Sequence, residues 1–271
     1  MHRRAFIASS LVAPALAVAN SELLPGEAAN LQTTPAESGR EYYELRRYQL
    51  STGPGVKLAH SFFQEALIPA ANRLGIRPVG IFSAVVGPNS PSLYVLLPST
   101  SLETLALLDS RLMADQDYAK AGAAFLEAPA TSPAYIRMES SLMIAFEGWP
   151  KIQVPASTLS RPRVFELRTY ESPSDRDHVR KVEMFNSGEF EVFRSAGFRS
   201  VFYGDTLVGS RLPNLTYMLE FDDLGQREKL WSTFGSLPEW KKLSGSQRYA
   251  FEEIVSSITN VILSPTPYSQ I

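Results

Sequence analysis

Apolar and polar residues alternate over 41–50 and again over 163–171, a spacing that predicts a β-strand in each stretch. Between them the period changes. Val56, Ala59, Phe63, Leu67, Ala70 and Leu74 recur at helical spacing and predict one helix over 56–74. Pro69 is expected to kink it, because the proline ring displaces the carbonyl of Glu65, and Gly75 to stop it. Residues 76–86 and 92–97 read as a hairpin about Gly87-Pro88-Asn89. Ser101 is placed to cap the next helix, with Thr104 where a capping box takes Glu or Gln. A last strand falls near 138–146. The same order then returns: strand 163–171, helix 175–196, strands 198–208 and 214–221, helices near 223–244, and a strand at about 252–263.

The recurrence extends to residue identities. Tyr43-Glu44-Leu45-Arg46-Arg47-Tyr48 matches Phe165-Glu166-Leu167-Arg168-Thr169-Tyr170 at an offset of 122. The same offset pairs Phe63 with Phe185, Gly75 with Gly197, Val86-Gly87 with Val208-Gly209, Pro91 with Pro213 and Lys120 with Lys242. No gap is needed from Glu44 to about Gly122, which marks a tandem duplication. Beyond that point the register shifts before Ser140-Ser141-Leu142 meets Ser256-Ser257-Ile258. Each copy predicts a four-stranded antiparallel sheet with helices on one face. The bare face of each sheet needs a cover, and the natural one is the sheet of the other copy. The expected architecture is α+β, two βαββαβ units with their sheets face to face.

The flanks change the picture. Residues 1–19 carry Arg3-Arg4, an apolar run from Ala5 to Val18 and a small-x-small end at Ala17-Val18-Ala19. The run is too short to span a bilayer, so it reads as a removable signal peptide. Arg3-Arg4-x-Phe6 resembles a twin-arginine signal, against an ordinary secretory one. The expected location is therefore exported, periplasmic or secreted. Residues 20–40 read as a polar tether, 41–147 and 163–264 as the two units, and 148–162, with Pro150, Pro155 and Pro162, as their linker.

Composition removes several functions. The 271 residues include no cysteine, which rules out thiolate nucleophiles, disulfides, iron–sulfur clusters and cysteine-ligated zinc. A net charge of −2 gives no basic field for nucleic acid. No basic amphipathic stretch recommends a membrane surface, and no stable membrane insertion is expected. There is no Gly-x-Ser-x-Gly elbow, phosphate-cradling loop or dinucleotide fingerprint.

On the strand pattern Tyr43-Glu44-Leu45-Arg46-Arg47-Tyr48, its counterpart 165–170, Arg73-x-Gly75 and Leu237-Pro238-Glu239-Trp240, the chain resembles the NIPSNAP family of the dimeric α+β barrel superfamily. The resemblance covers nearly all of 41–263. It implies ferredoxin-like units forming a pseudo-dimeric barrel. Relatives on that fold include cofactor-free monooxygenases and haem-handling enzymes, an analogy of fold alone.

Candidate chemistry starts from the first strand of each copy. Alternation sets Glu44, Arg46 and Tyr48 on one face and Tyr43, Leu45 and Arg47 on the other. With Leu45 and Leu167 turned to the helices, Glu44, Arg46, Tyr48, Glu166, Arg168 and Tyr170 are expected between the sheets. There they form either a ligand-gripping polar cavity or an Arg–Glu ladder that docks the sheets. His60 and His178 lie on similar faces of equivalent helices, and His60 is open to a haem-ligand or general-base role or to a structural one. Their spacing matches no zinc motif, and no metal is expected. Trp231, Phe234 and Trp240 line a pocket or fill core. The expectation is a small-molecule protein, as a cofactor-independent oxygenase or isomerase, with Arg168, Tyr170, Glu166 and His60 catalytic and Glu44, Arg46, Tyr48 and His178 ligand-binding. No cofactor is predicted, haem being the alternative; the chain works as a pseudo-dimeric monomer or a homo-oligomer. The competing reading is a non-catalytic binding or assembly module.

Overall fold

The computed structural model describes residues 39–156 and 162–271. The expected signal peptide, nearly all of the tether and residues 157–161 of the linker lie outside them. The first copy runs β1 (Tyr42–Gln49), α1 (Pro54–Phe62), a π-helical turn (Phe63–Leu67), α2 (Ile68–Arg73), β2 (Gly80–Val86), β3 (Ser92–Ser99), α3 (Leu102–Ala106), α4 (Leu108–Met113), α5 (Gln116–Leu126) and β4 (Arg137–Ala145). The second runs β5 (Val164–Glu171), α6 (Asp175–Met184), a π-helical turn (Phe185–Glu189), α7 (Phe190–Ser195), β6 (Arg199–Val208), β7 (Asn214–Phe221), α8 (Leu224–Ser236), α9 (Pro238–Ser244), α10 (Phe251–Ile254) and β8 (Ser257–Pro265).

Local chemistry starts these helices. Ser101, Asp115, Ser174 and Asp223 each accept a backbone N–H at a helix N-terminus, filling donors the helix cannot fill itself. The irregularity expected at Pro69 takes the form of the π-turn just before it, where the Ile68 N–H reaches the Phe63 carbonyl. The second copy bulges at the equivalent place with Glu191 where the first has Pro69, so proline is not the cause.

The eight strands close into one antiparallel barrel in the order β1-β3-β2-β8-β5-β7-β6-β4. Closure is by hydrogen bonding as well as by face-to-face packing. β2 pairs with β8 and β4 with β6, so both seams join one copy to the other. In the last strands, Ser140 opposes Arg46 and Asn260 opposes Arg168. Ser140 is therefore equivalent to Asn260, and the alignment with Ser256 is corrected. It failed because a Ser-Ser pair carries little register information, whereas cross-strand pairing fixes it.

β7 is buried along its whole length and β3 nearly so, as strands covered on both faces must be. Outside the barrel, each copy's helices pack on their own sheet. Phe62, Phe63, Phe125 and Tyr48 fill the first interface; Phe185, Phe193, Tyr203 and Tyr217 fill the second. Inside, residues stack in levels set by the register. Tyr43, Met143, Phe165 and Leu263 share the lowest, with Phe82 and Phe202 beside them. Leu45, Leu96, Ser141, Leu167, Met218 and Val261 form the middle. Ile152 and Ile271 pack against the interior, and the start of the linker holds to the barrel through Gln153 N–H to Val201 O at 2.8 Å. No helix among the described residues is long and apolar enough to cross a membrane.

Candidate functional site

The uppermost level of the barrel differs from the two below it. On β4, β1 and β3, Glu139, Arg47 and Tyr94 stand side by side. On β8, β5 and β7 the equivalent places hold Thr259, Thr169 and Thr216. One wall is charged and the other is a row of hydroxyls, on a floor that includes Leu45, Leu167 and Val261. Above them the cavity is open to solvent, measures about 780 Å³, and is rimmed by Pro88 from one hairpin loop and Val208 to Arg211 from the other. That volume lies in the range of small-molecule sites.

The polar groups are held in place. Arg47 Nη2 lies 2.8 Å from Glu139 Oε2. Burial works against the Arg47 charge, but the Tyr94 hydroxyl and then Glu139 outweigh it, leaving the guanidinium pKa above its ordinary value. Burial raises the Tyr94 pKa, with Arg47 opposing. Thr169 and Thr216 share a hydroxyl hydrogen bond of 2.8 Å. Arg211 Nη1 donates to Glu171 Oε1 at 3.0 Å and to Thr259 Oγ1 at 2.9 Å. Arg211 has φ 57°, as Asn89 has 59° at the equivalent point of the first hairpin. Asparagine tolerates that left-handed conformation and arginine does so rarely.

The eight residues expected at the site lie elsewhere. Alternation does group Glu44, Arg46 and Tyr48, but that face lies beneath the helices, and Tyr43, Leu45 and Arg47 line the barrel. The inversion has a physical reason. The buried charges find partners in the helix layer, which the barrel interior does not supply at that level. Arg46 grips Glu44 through Nε and Nη2 at 2.7 and 2.9 Å and reaches Asp109 of α4 at 2.8 Å. Ser140 completes Glu44 at 2.7 Å. Glu166, with no exposed surface, accepts from Arg168 at 3.1 Å, Arg227 at 2.6 Å and Trp231 Nε1 at 2.8 Å. Arg168 also donates to Tyr170 at 3.1 Å and lies 4.2 Å from the centre of the Trp231 ring. Tyr217 donates to Tyr170 at 2.7 Å. Burial opposes the charge of Arg168, yet Tyr217, Tyr170 and Glu166 raise its pKa. Tyr48 is buried edge-on against Phe63. Phe234 is buried core, and Trp231 and Trp240 pack against it.

The histidines stand apart from the cavity and from each other. His60 Nδ1 is 2.6 Å from the Tyr268 hydroxyl, and burial lowers its pKa. His178 Nε2 is 2.7 Å from Asp205 Oδ1 of β6. Neither histidine lines the cavity, so neither would reach a group bound there. Among the described residues no three His, Asp or Glu side chains gather as a metal site.

A further buried ion pair escaped the sequence reading. Lys181 Nζ is 2.5 Å from Glu189 Oε2, both side chains being essentially inaccessible. The ammonium lies 4.4 Å from the Phe185 ring centre and 4.9 Å from that of Phe251. Burial pushes the lysine pKa down and the glutamate pKa up, each partner opposing the shift of the other. The equivalent residues of the first copy are Ala59 and Leu67, both buried.

Arg47, Tyr94, Glu139 and Arg211 were also missed as a site. The signal that could have found two of them is divergence between the copies: at the offset of 122, Arg47 becomes Thr169 and Tyr94 becomes Thr216.

An eight-stranded barrel made of two helix-backed halves, open at one end over a mixed polar and apolar cavity, is the dimeric α+β barrel fold realised within one chain. The NIPSNAP family profile matches it twice, at 43–147 and 165–270, and the chain belongs to the NIPSNAP family as a tandem two-copy member. Among solved structures it is similar to a "putative monooxygenase" from Lactobacillus acidophilus NCFM, with 9% identity, TM-score 0.55, and 83% of this chain and 94% of that one covered. An anthrone oxidase-like protein aligns with 12% identity, TM-score 0.51 and coverage of 85% and 93%. An uncharacterized NIPSNAP-like domain protein from Burkholderia xenovorans shares 19% identity over 38% of this chain and 85% of its own, with TM-score 0.35. At these identities the likeness is one of fold. No protein of curated function matches the chain significantly.

Proposed function

We propose that this protein is an exported small-molecule binder whose ligand enters the mouth of the barrel. The observation that carries the reading is the three-level interior: two packed, mainly apolar levels below an open polar one, leaving about 780 Å³. Export rests on the sequence of residues 1–19. The Glu44–Arg46 and Glu166–Arg168–Arg227 sets fasten helices to sheet, which is neither a grip on a ligand between the sheets nor a ladder docking one sheet to the other.

If the site is catalytic, as an oxygenase or isomerase working without cofactor, Glu139 is the base. Among the described residues it is the one carboxylate lining the cavity, and it stands beside two donors. It would take a proton from a carbon next to a carbonyl, while Arg47 and Tyr94 hold the oxygen on which charge develops.

Native mass spectrometry of the protein purified from its own compartment tests the binding reading. A retained small molecule is expected in the parent and lost in Leu167→Trp, which fills the floor. Retention by a folded Leu167→Trp variant would move the site away from the barrel.

A further inference from the structure

We propose that the cavity selects an uncharged ligand, an apolar body carrying hydroxyl or carbonyl oxygens, over a carboxylate of the same shape. This rests on the barrel-mouth reading above. The argument begins with charge. Two arginines line the cavity and each has its own carboxylate: Glu139 at 2.8 Å from Arg47, Glu171 at 3.0 Å from Arg211. Among the described residues lining the cavity, both cations are thus already paired with a carboxylate. A carboxylate entering beside Arg47 meets Glu139 as a like charge, or must displace it, after losing its own hydration.

An uncharged oxygen-bearing head meets no such opposition. Arg47 and Tyr94 offer donors, Glu139 an acceptor, and the three threonine hydroxyls can do both. Leu45, Leu167 and Val261 below offer only apolar surface. The two walls are not interchangeable, although the two halves are related by duplication. A carbonyl is best served by Arg47 and Tyr94, and a hydroxyl by Glu139 or by the threonine row. A ligand that carries a carbonyl therefore binds once per chain and in one direction.

A matched series separates charge from shape: 2-naphthol, 2-naphthoate and 2-naphthylmethylammonium, titrated against the intact folded chain at neutral pH by fluorescence. The expected order places 2-naphthol first by roughly tenfold or more in Kd over both ions. In Glu139→Gln the Arg47 charge loses its counter-ion, and 2-naphthoate is expected to gain about tenfold in affinity. Naphthoate binding the parent as tightly as naphthol overturns the charge selection and leaves the cavity reading standing. Binding by none of the three overturns both. An unchanged naphthoate affinity in folded Glu139→Gln overturns the role given to Glu139.

Discussion

Replacing Lys181 by methionine should be among the most damaging single changes in the molecule, and removing its partner as well should undo the damage. In the parent the ammonium and the Glu189 carboxylate lie 2.5 Å apart, both side chains essentially inaccessible to solvent. Lys181→Met leaves the carboxylate buried among Phe185, Phe251 and Tyr170 with its counter-charge gone. Stranding one member of such a pair costs about 3–5 kcal/mol, whereas replacing both with apolar groups is neutral or better. For a protein of this size, that single-variant loss is roughly 6–20 °C in Tm. The double variant Lys181→Met, Glu189→Leu approximates the first copy, which packs Ala59 and Leu67 at these positions, and should unfold within about 1 kcal/mol of the parent. Urea unfolding of the parent, both singles and the double closes the cycle. pH adds a check. Burial holds the folded pKa of Glu189 above its ordinary 4.5, so its protonation favours the folded state, fully below that value and progressively less as pH rises through the folded pKa. The deficit of Lys181→Met should therefore shrink between pH 7 and pH 5. A double variant as unstable as the single, or a single variant within about 1 kcal/mol of the parent, refutes the reasoning.

Arg168→Ala should cost about 2–4 kcal/mol, by leaving Glu166 underpaired, and leave naphthol affinity within about twofold. Arg47→Ala should do the reverse, losing under about 1 kcal/mol of stability at a partly exposed pair and most of the affinity; thermal melts beside fluorescence titrations check both. Burial pushes the Tyr268 pKa up to about 12 and also raises Tyr43, Tyr118, Tyr203 and Tyr217. The stability tied to those phenols is complete below about pH 10 and is lost as pH climbs through their folded values, so phenolate absorbance should appear together with unfolding. Their ionisation near pH 10 in a chain that keeps its native circular dichroism would count against that burial. Gly204→Ala puts a Cβ 2.9 Å from Met143 Cβ at the β4–β6 seam and should cost about 1–3 kcal/mol in urea unfolding; a neutral effect would mean the seam is looser than described.

The duplication, the strand order within each copy and the covering of one sheet by the other could be read from the sequence, because each rests on periodicity or on an ungapped offset. The facing of the strands could not. In β1 both faces carry an aromatic and a charge, Tyr43 and Arg47 on one, Tyr48 with Glu44 and Arg46 on the other, so hydrophobicity gives no preference. What decides is which set finds partners: Asp109, Arg227 and Trp231 come from distant helices, and their positions follow only from the packed fold. The site was hidden for a similar reason. Glu139 meets Arg47 through the register of β4, in the stretch where matching of the copies had slipped.

Both seams of the barrel, β2 with β8 and β4 with β6, are formed within the chain. A barrel assembled from two separate halves comes apart on dilution, since its closure is an equilibrium between molecules. Here the strand edges that such a pair would expose at low concentration are bonded regardless of how few molecules are present. The cavity is therefore as complete in a single isolated molecule as in a concentrated solution.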